Sequence, residues 1–132
     1  MNHEITISNA QLITTGNITD VLCMESGGFD YWCEICFDGA EYEASRKHLL
    51  EKAGEGSSLC YEDVLAEILE SGGYIKVWDR EEDEDYELDL FGLLNGFKLY
   101  VENNSPEDLE DIDGCIADEI MQYACFGEVI YS

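Results

Sequence analysis

Basic residues are scarce. Six Lys and Arg stand against 31 Asp and Glu in 132 residues, a formal charge of −25. That scarcity excludes the usual nucleic-acid binder, which needs clustered cations to neutralise phosphates. It equally excludes a polybasic membrane-surface protein. Histidine is nearly absent too: His3 and His48 are the only two. No G-x-S-x-G elbow, P-loop or G-x-G-x-x-G run accompanies them, so no hydrolytic or nucleotide site takes shape and an enzyme is not expected. No apolar run approaches the roughly 18 residues needed to span a bilayer. Met1–Thr6 lacks the basic and apolar regions of a secretory signal. The expectation is a soluble, cytoplasmic protein that contacts no membrane.

What is present suffices for a core. Apolar residues make up 45% of the chain and aromatics 11%, which sets it apart from disordered acidic chains. The length suits one domain, residues 1–132. Alternation predicts strands over about 4–8, Gln11–Thr14, Asp30–Phe37 and Tyr74–Asp79. In the third, Tyr31, Cys33, Ile35 and Phe37 alternate with Trp32, Glu34 and Cys36. Helical spacing predicts helices over about Ile18–Ser26 (capped near Asn17 or Thr19), 41–53, Ser58–Ser71 and Leu88–Val101. Ser105-Pro106-Glu107-Asp108 is a helix-start signature; the last helix either runs on from it or breaks at Asp113-Gly114, with Asp113 as a new cap.

A weak echo links Asp20-Val21-Leu22, Gly27-Gly28-Phe29 and Trp32 with Asp63-Val64-Leu65, Gly72-Gly73-Tyr74 and Trp78. Each copy reads as a helix ended by glycine and followed by a strand. The end of the chain would repeat the plan, with a helix to Phe126, Gly127, then a strand from Glu128 to Tyr131. Duplication and a common way of leaving a helix both account for it. The expected fold is α+β, mixed, with about four short strands and four helices in helix–Gly–strand units. The pattern leaves parallel and antiparallel sheets open.

Six cysteines at irregular spacing, in a chain without a secretory signature, read as reduced thiols. Trp32-Cys33-Glu34-Ile35-Cys36 resembles the active-site motif of thioredoxin-like proteins. That chemistry needs the first thiol at a helix N-terminus, whereas this stretch alternates as a strand does and would send the two thiols to opposite faces. A zinc knuckle needs a second ligand pair, and Cys23, His48 and Cys60 do not form one. The run Leu109–Ile120 places Gly114 where an EF-hand loop wants it, but its first and twelfth positions are apolar. No metal and no cofactor is expected.

The acidity itself is the strongest signal. Residues 79–132 hold 17 acidic and two basic residues; residues 1–78 hold 14 and four. A charge of −25 far exceeds the ~2–8 that solubility asks of a small domain, and its self-repulsion costs stability. Such a surface reads as selected for a cationic partner. Carboxylates one helical turn apart lie about 5–6 Å from each other, a spacing comparable with neighbouring phosphates on a nucleic-acid strand. The candidate docking residues are Asp79, Glu81, Glu82, Asp83, Glu84, Asp85, Glu87 and Asp89 in the acidic run, and Glu107, Asp111 and Asp118 on the helix expected over 107–119. Trp78 and Tyr86 are the candidate anchors.

Four blocks carry a family likeness: Gly27-Gly28-Phe29-Asp30-Tyr31-Trp32-Cys33, Gly72-Gly73-Tyr74-Ile75 before the acidic run, Leu88–Gly96, and Gln122–Tyr131. Together they resemble a family of short acidic proteins, with no assigned activity, from phages and other mobile elements of Gram-positive bacteria. No binding residue carries over from it. The resemblance implies a setting in a bacterial host cytosol, where small acidic proteins counter host defence. The expected function is that of a non-enzymatic anti-CRISPR or anti-restriction inhibitor that mimics nucleic-acid charge. It would occupy a basic groove of a nuclease or CRISPR effector and bind no nucleic acid itself. The alternatives are a regulatory module that binds protein through its aromatic strands, by way of Trp32 or Trp78, and a metal or redox protein built on Cys33 and Cys36.

Overall fold

Helix caps and hairpin register organise the chain. The computed structural model describes residues 5–7, 11–54 and 59–132; His3 and Ser58 lie outside them. Strands β1 (Ile5–Ile7) and β2 (Gln11–Ile13) form an antiparallel ribbon. Helix α1 (Thr15–Leu22) starts earlier than its apolar pattern suggests, because Thr14 and Asn17 cap each other. The Thr14 hydroxyl accepts from Asn17 N–H at 3.2 Å, and the Asn17 side chain accepts from Thr14 N–H at 3.1 Å. Asn17 therefore sits inside the first turn rather than before it. After α1 the chain makes an irregular π-type turn, Glu25–Phe29, and enters β3 (Cys33–Cys36).

Helix α2 (Gly39–Ala53) is capped by Asp38, and α3 (Tyr61–Glu70) by Cys60, whose N–H donates to the Asp63 carboxylate at 3.0 Å. Gly72, at φ +93°, turns the chain into β4 (Tyr74–Asp79), a backbone conformation that costs glycine little. Then come β5 (Glu84–Asp89), α4 (Leu90–Asn103), a 3₁₀ turn at Pro106–Glu110, and α5 (Gly114–Phe126). Asp113 caps α5, its carboxylate accepting from Ile116 N–H at 2.8 Å.

The expected α+β class holds, and the counts differ. Among the described residues there are five α-helices, a two-stranded ribbon and an antiparallel three-stranded sheet in the order β3-β4-β5. Two expectations are corrected. The acidic run, which lies beyond every strand expected from alternation, is a hairpin, with β5 paired to β4 from Tyr74↔Asp89 to Asp79↔Glu84. The end of the chain, Glu128–Tyr131, is not a strand. The helix–Gly–strand plan therefore holds cleanly only at Gly72. The echo also fails in packing, since Trp32 is fully buried whereas Trp78 is half-exposed on the far side of the sheet.

One continuous core underlies the sheet's inner face. Ile35, Ile75, Val77 and Leu88 pack there with Ile18, Leu22, Phe29, Trp32, Leu65, Leu69, Phe97 and Ile120. Helices α4 and α5 approach closely at Gly96, where an added Cβ would stand 2.7 Å from Ala124 Cβ and from Ile120 O.

Helix α2 buries no residue completely. It is held by an aromatic cluster, with Phe37 stacked on Tyr42 at 4.8 Å and both rings against Tyr61, and by buried Glu67 of α3. Glu67 takes His48 Nδ1 at 2.6 Å, Lys52 Nζ at 3.1 Å and the Ser71 hydroxyl at 3.2 Å. Burial would raise the Glu67 pKa, but the Lys52 and His48 contacts outweigh it and hold the carboxyl below its usual range. Its stabilisation is complete above the unfolded carboxylate pKa and is lost as pH falls through the depressed folded value. Glu67→Ala is expected to cost about 1–2 kcal/mol and to speed amide exchange across α2 while leaving α4 and α5 protected.

Candidate functional site

The β4–β5 hairpin is set by a buried carboxylate. Asp79 is fully buried at the end of β4. Its Oδ1 accepts from Glu81 N–H at 2.9 Å and Glu82 N–H at 3.3 Å, fixing the turn from Arg80 to Asp83. The Tyr131 hydroxyl donates to the same carboxylate at 2.9 Å, and burial and this bond push the Tyr131 pKa up to about 12. Asp83 takes φ +53° at the last turn position and receives Trp78 Nε1–H at 2.9 Å.

Register decides which side chains share a face. On the outer face, Glu34, Trp78 and Asp85 lie side by side across the three strands; Cys36, Lys76 and Glu87 form the next row, and Tyr74 and Asp89 the last. Carboxylates two residues apart on β5 repeat at about 6.6 Å. The turn adds Glu81, Glu82 and Asp83, so a stretch of exposed carboxylates runs from Glu81 to Asp89.

Lys76 stands opposite Glu87 in the middle row, yet among the described residues it makes no ion pair within 4.0 Å. Among the described residues the ion pairs within 4.0 Å both belong to Glu67. Arg80 directs its guanidinium to the backbone carbonyls of Asp30 and Cys33 and lies over the Trp78 ring, with its Cζ 5.9 Å from the centroid. Each adjacent pair on the ridge repels by about 0.6 kcal/mol at the dielectric constant of water, and salt screens that repulsion beyond about 8–10 Å. Desolvation adds to the strain elsewhere: burial raises the pKa values of Asp20, Glu25 and Glu119. Stability from such groups is present below their unfolded pKa and is lost as pH rises through the folded value. Thermal melts are therefore expected to show Tm rising by several degrees with added salt at pH 7.5, and rising again as pH is lowered toward the ordinary carboxylate range.

The remaining candidates separate from the ridge. Tyr86 is half-buried on the core side, its ring edge-on to Phe126 at 5.2 Å, so it is not an outward anchor. Asp79 is likewise turned inward. The expected helix over 107–119 is interrupted: Glu107 is on the 3₁₀ turn, Asp111 follows it, and Asp118 is on α5, so the three share no helix face. Proline favours the first turn, and the Asp113 cap then starts a new helix. Asp118 already accepts from Tyr31 Oη at 2.6 Å, Trp32 Nε1 at 2.7 Å and Gln122 Nε2 at 2.9 Å.

Sequence reasoning passed over Gln122. Fully buried, it accepts from Ile130 N–H and Tyr131 N–H, both at 2.8 Å, and donates to Tyr131 O at 3.1 Å. It clasps residues 130–131 so that the Tyr131 ring packs against both Trp32 (5.5 Å) and Phe126 (5.9 Å), which touch each other at 5.1 Å, with its hydroxyl on Asp79. A buried glutamine looks like any surface glutamine in a lone sequence. The only hint is the helical spacing that puts it four residues after Asp118.

Cys33 and Cys36 lie on opposite faces of β3, one buried and one half-exposed. Burial pushes both thiols up rather than toward the thiolate. Among the described residues no cluster of three His, Cys, Asp or Glu is arranged to hold a metal. A cleft of about 440 Å³ opens beside Cys36, lined by Phe37, Asp38, Glu41, Tyr74 and Lys76. Among the described residues no helix is long and apolar enough to cross a membrane.

Fold and site together define a small α+β protein that displays an acidic hairpin. No family model, curated protein or solved structure matches the chain.

Proposed function

We propose that this chain is a non-enzymatic interaction protein whose β4–β5 hairpin docks on a basic groove that otherwise holds nucleic acid. The observation that carries the reading is the ridge of exposed carboxylates from Glu81 to Asp89, with no cation among the described residues in ion-pair contact. A surface that repels itself persists more readily when a complementary charge receives it. The docking set is narrower than the acidity suggests: Glu34, Glu81, Glu82, Asp83, Glu84, Asp85, Glu87 and Asp89, with Trp78 among them. The likeness to acidic proteins of mobile elements suggests the partner: a nuclease or CRISPR effector of a bacterial host, which the chain would inhibit as a charge mimic in the cytosol.

The aromatic-strand alternative is weakened by burial. Trp32 is a core residue with no exposed surface, so loss of binding on Trp32→Ala would report unfolding.

The test is competition. The chain is titrated into complexes of labelled duplex DNA with purified basic nucleases and effectors, from about 50 to 500 mM salt. Displacement that weakens steeply with salt supports the reading. Displacement that ignores salt, or none across the panel, overturns it.

A further inference from the structure

The two edges of the three-stranded sheet differ. On β3, the Glu25 carboxylate accepts from Ile35 N–H at 3.0 Å, and Arg80 donates to Cys33 O at 3.1 Å. Side chains thus stopper that edge, one of the ways proteins prevent unwanted strand pairing. The same contacts fix the ladder's phase. Ile35 N–H points away from β4, while Arg80 N–H bonds Trp32 O across the ladder at 2.8 Å. Trp78 and Lys76 therefore bond toward β3, and Ile75, Val77 and Asp79 toward β5. On β5 this leaves the backbone N–H and C=O of Asp85 and Glu87 pointing outward. Among the described residues β5 pairs with β4 alone, and no hydrogen bond engages those groups. The side chains of both residues are exposed on the outer face.

We infer that β5 is an acceptor edge: an extended segment of the basic partner, with Lys or Arg at alternate positions, adds to it as a fourth strand. Backbone groups of the incoming segment would pair with those of Asp85 and Glu87. Its cationic side chains would stand beside the Asp85, Glu87 and Asp89 carboxylates, since cross-strand neighbours share a face and opposite charges there attract. A second copy of this chain is not the occupant, because pairing β5 with β5 sets carboxylates against carboxylates, which destabilises a sheet. The inference rests on the hairpin being the docking surface and adds the mode of docking.

The experiment uses the full chain, ¹⁵N-labelled, with two short peptides of alternating lysine and threonine, one unmodified and one N-methylated along its backbone. The expected result is slowed amide exchange at Asp85 and Glu87 with the unmodified peptide, and binding at least about tenfold weaker with the methylated one. Glu87→Pro removes one outward donor at an edge position where proline is tolerated; it is expected to weaken the unmodified peptide similarly. Equal binding of both peptides, with unchanged exchange on β5, overturns strand addition while leaving charge-driven docking standing. If Asp85→Lys with Glu87→Lys also leaves the unmodified peptide's affinity unchanged, the docking surface itself is overturned.

Discussion

The Asp85→Lys/Glu87→Lys double variant is expected to bind a basic partner about 30- to 1,000-fold more weakly, a loss of roughly 2–4 kcal/mol. Both side chains project from the outer face of β5 and make no contact that the fold needs. Reversal turns two attractive rows into repulsive ones, and like charges facing across an interface cost more than missing ones. The fold is expected to stay within about 0.5 kcal/mol of its stability, because the new lysines relieve a ridge whose neighbours repel while Glu87→Lys sets a lysine opposite Lys76 on β4. Asp89 makes a poor substitute for this test, since its carboxylate caps α4 through Gly92 N–H at 2.8 Å. Binding measured at low and high salt, beside a denaturant titration, checks both halves of the prediction. Undiminished binding by a folded double variant would remove the hairpin from the mechanism.

The second large effect is expected inside the protein. Gln122→Leu keeps the volume of the side chain and removes its polar end. It strands Ile130 N–H and Tyr131 N–H and takes a donor from Asp118. Ile130 is exposed and Tyr131 half-buried, so water takes up part of the lost bonding, and a net loss of about 1–3 kcal/mol is expected from denaturant unfolding. Tyr131→Phe removes only the hydroxyl on Asp79 and is expected to lower stability less than Gln122→Leu does. In both variants amide exchange from Arg80 to Asp83 is expected to quicken, because Asp79 loses the donor that holds it from the core side. Unchanged exchange in the turn would show that hairpin and tail are independent.

Much of the secondary structure was legible because local chemistry and tertiary packing agree. β4 runs over Tyr74–Asp79 as its alternation predicts, and Asp113 caps α5 as its place before Gly114 predicts. The disagreements arise where a contact distant in sequence decides. Residues 128–131 have a strand's composition, but the Gln122 side chain takes the N–H groups that a ladder would use. Tyr31 and Trp32 alternate like strand residues, yet Arg80 N–H pairs with Trp32 O as the strand is only beginning, and Asp118 binds both side chains. The site was legible as composition and not as geometry. A count of carboxylates does not distinguish Asp85, which faces water, from Asp79 and Asp118, which hold the fold together.

The clasp at Gln122 has a consequence for how the molecule is made and handled. The turn that presents the carboxylates leans on Asp79, and Asp79 leans on a tyrosine near the far end of the chain. During synthesis the hairpin therefore lacks its final brace until residue 131 has emerged from the ribosome. A substitution or cleavage that disturbs Ile130 or Tyr131 would therefore act as a distant lesion in the recognition loop.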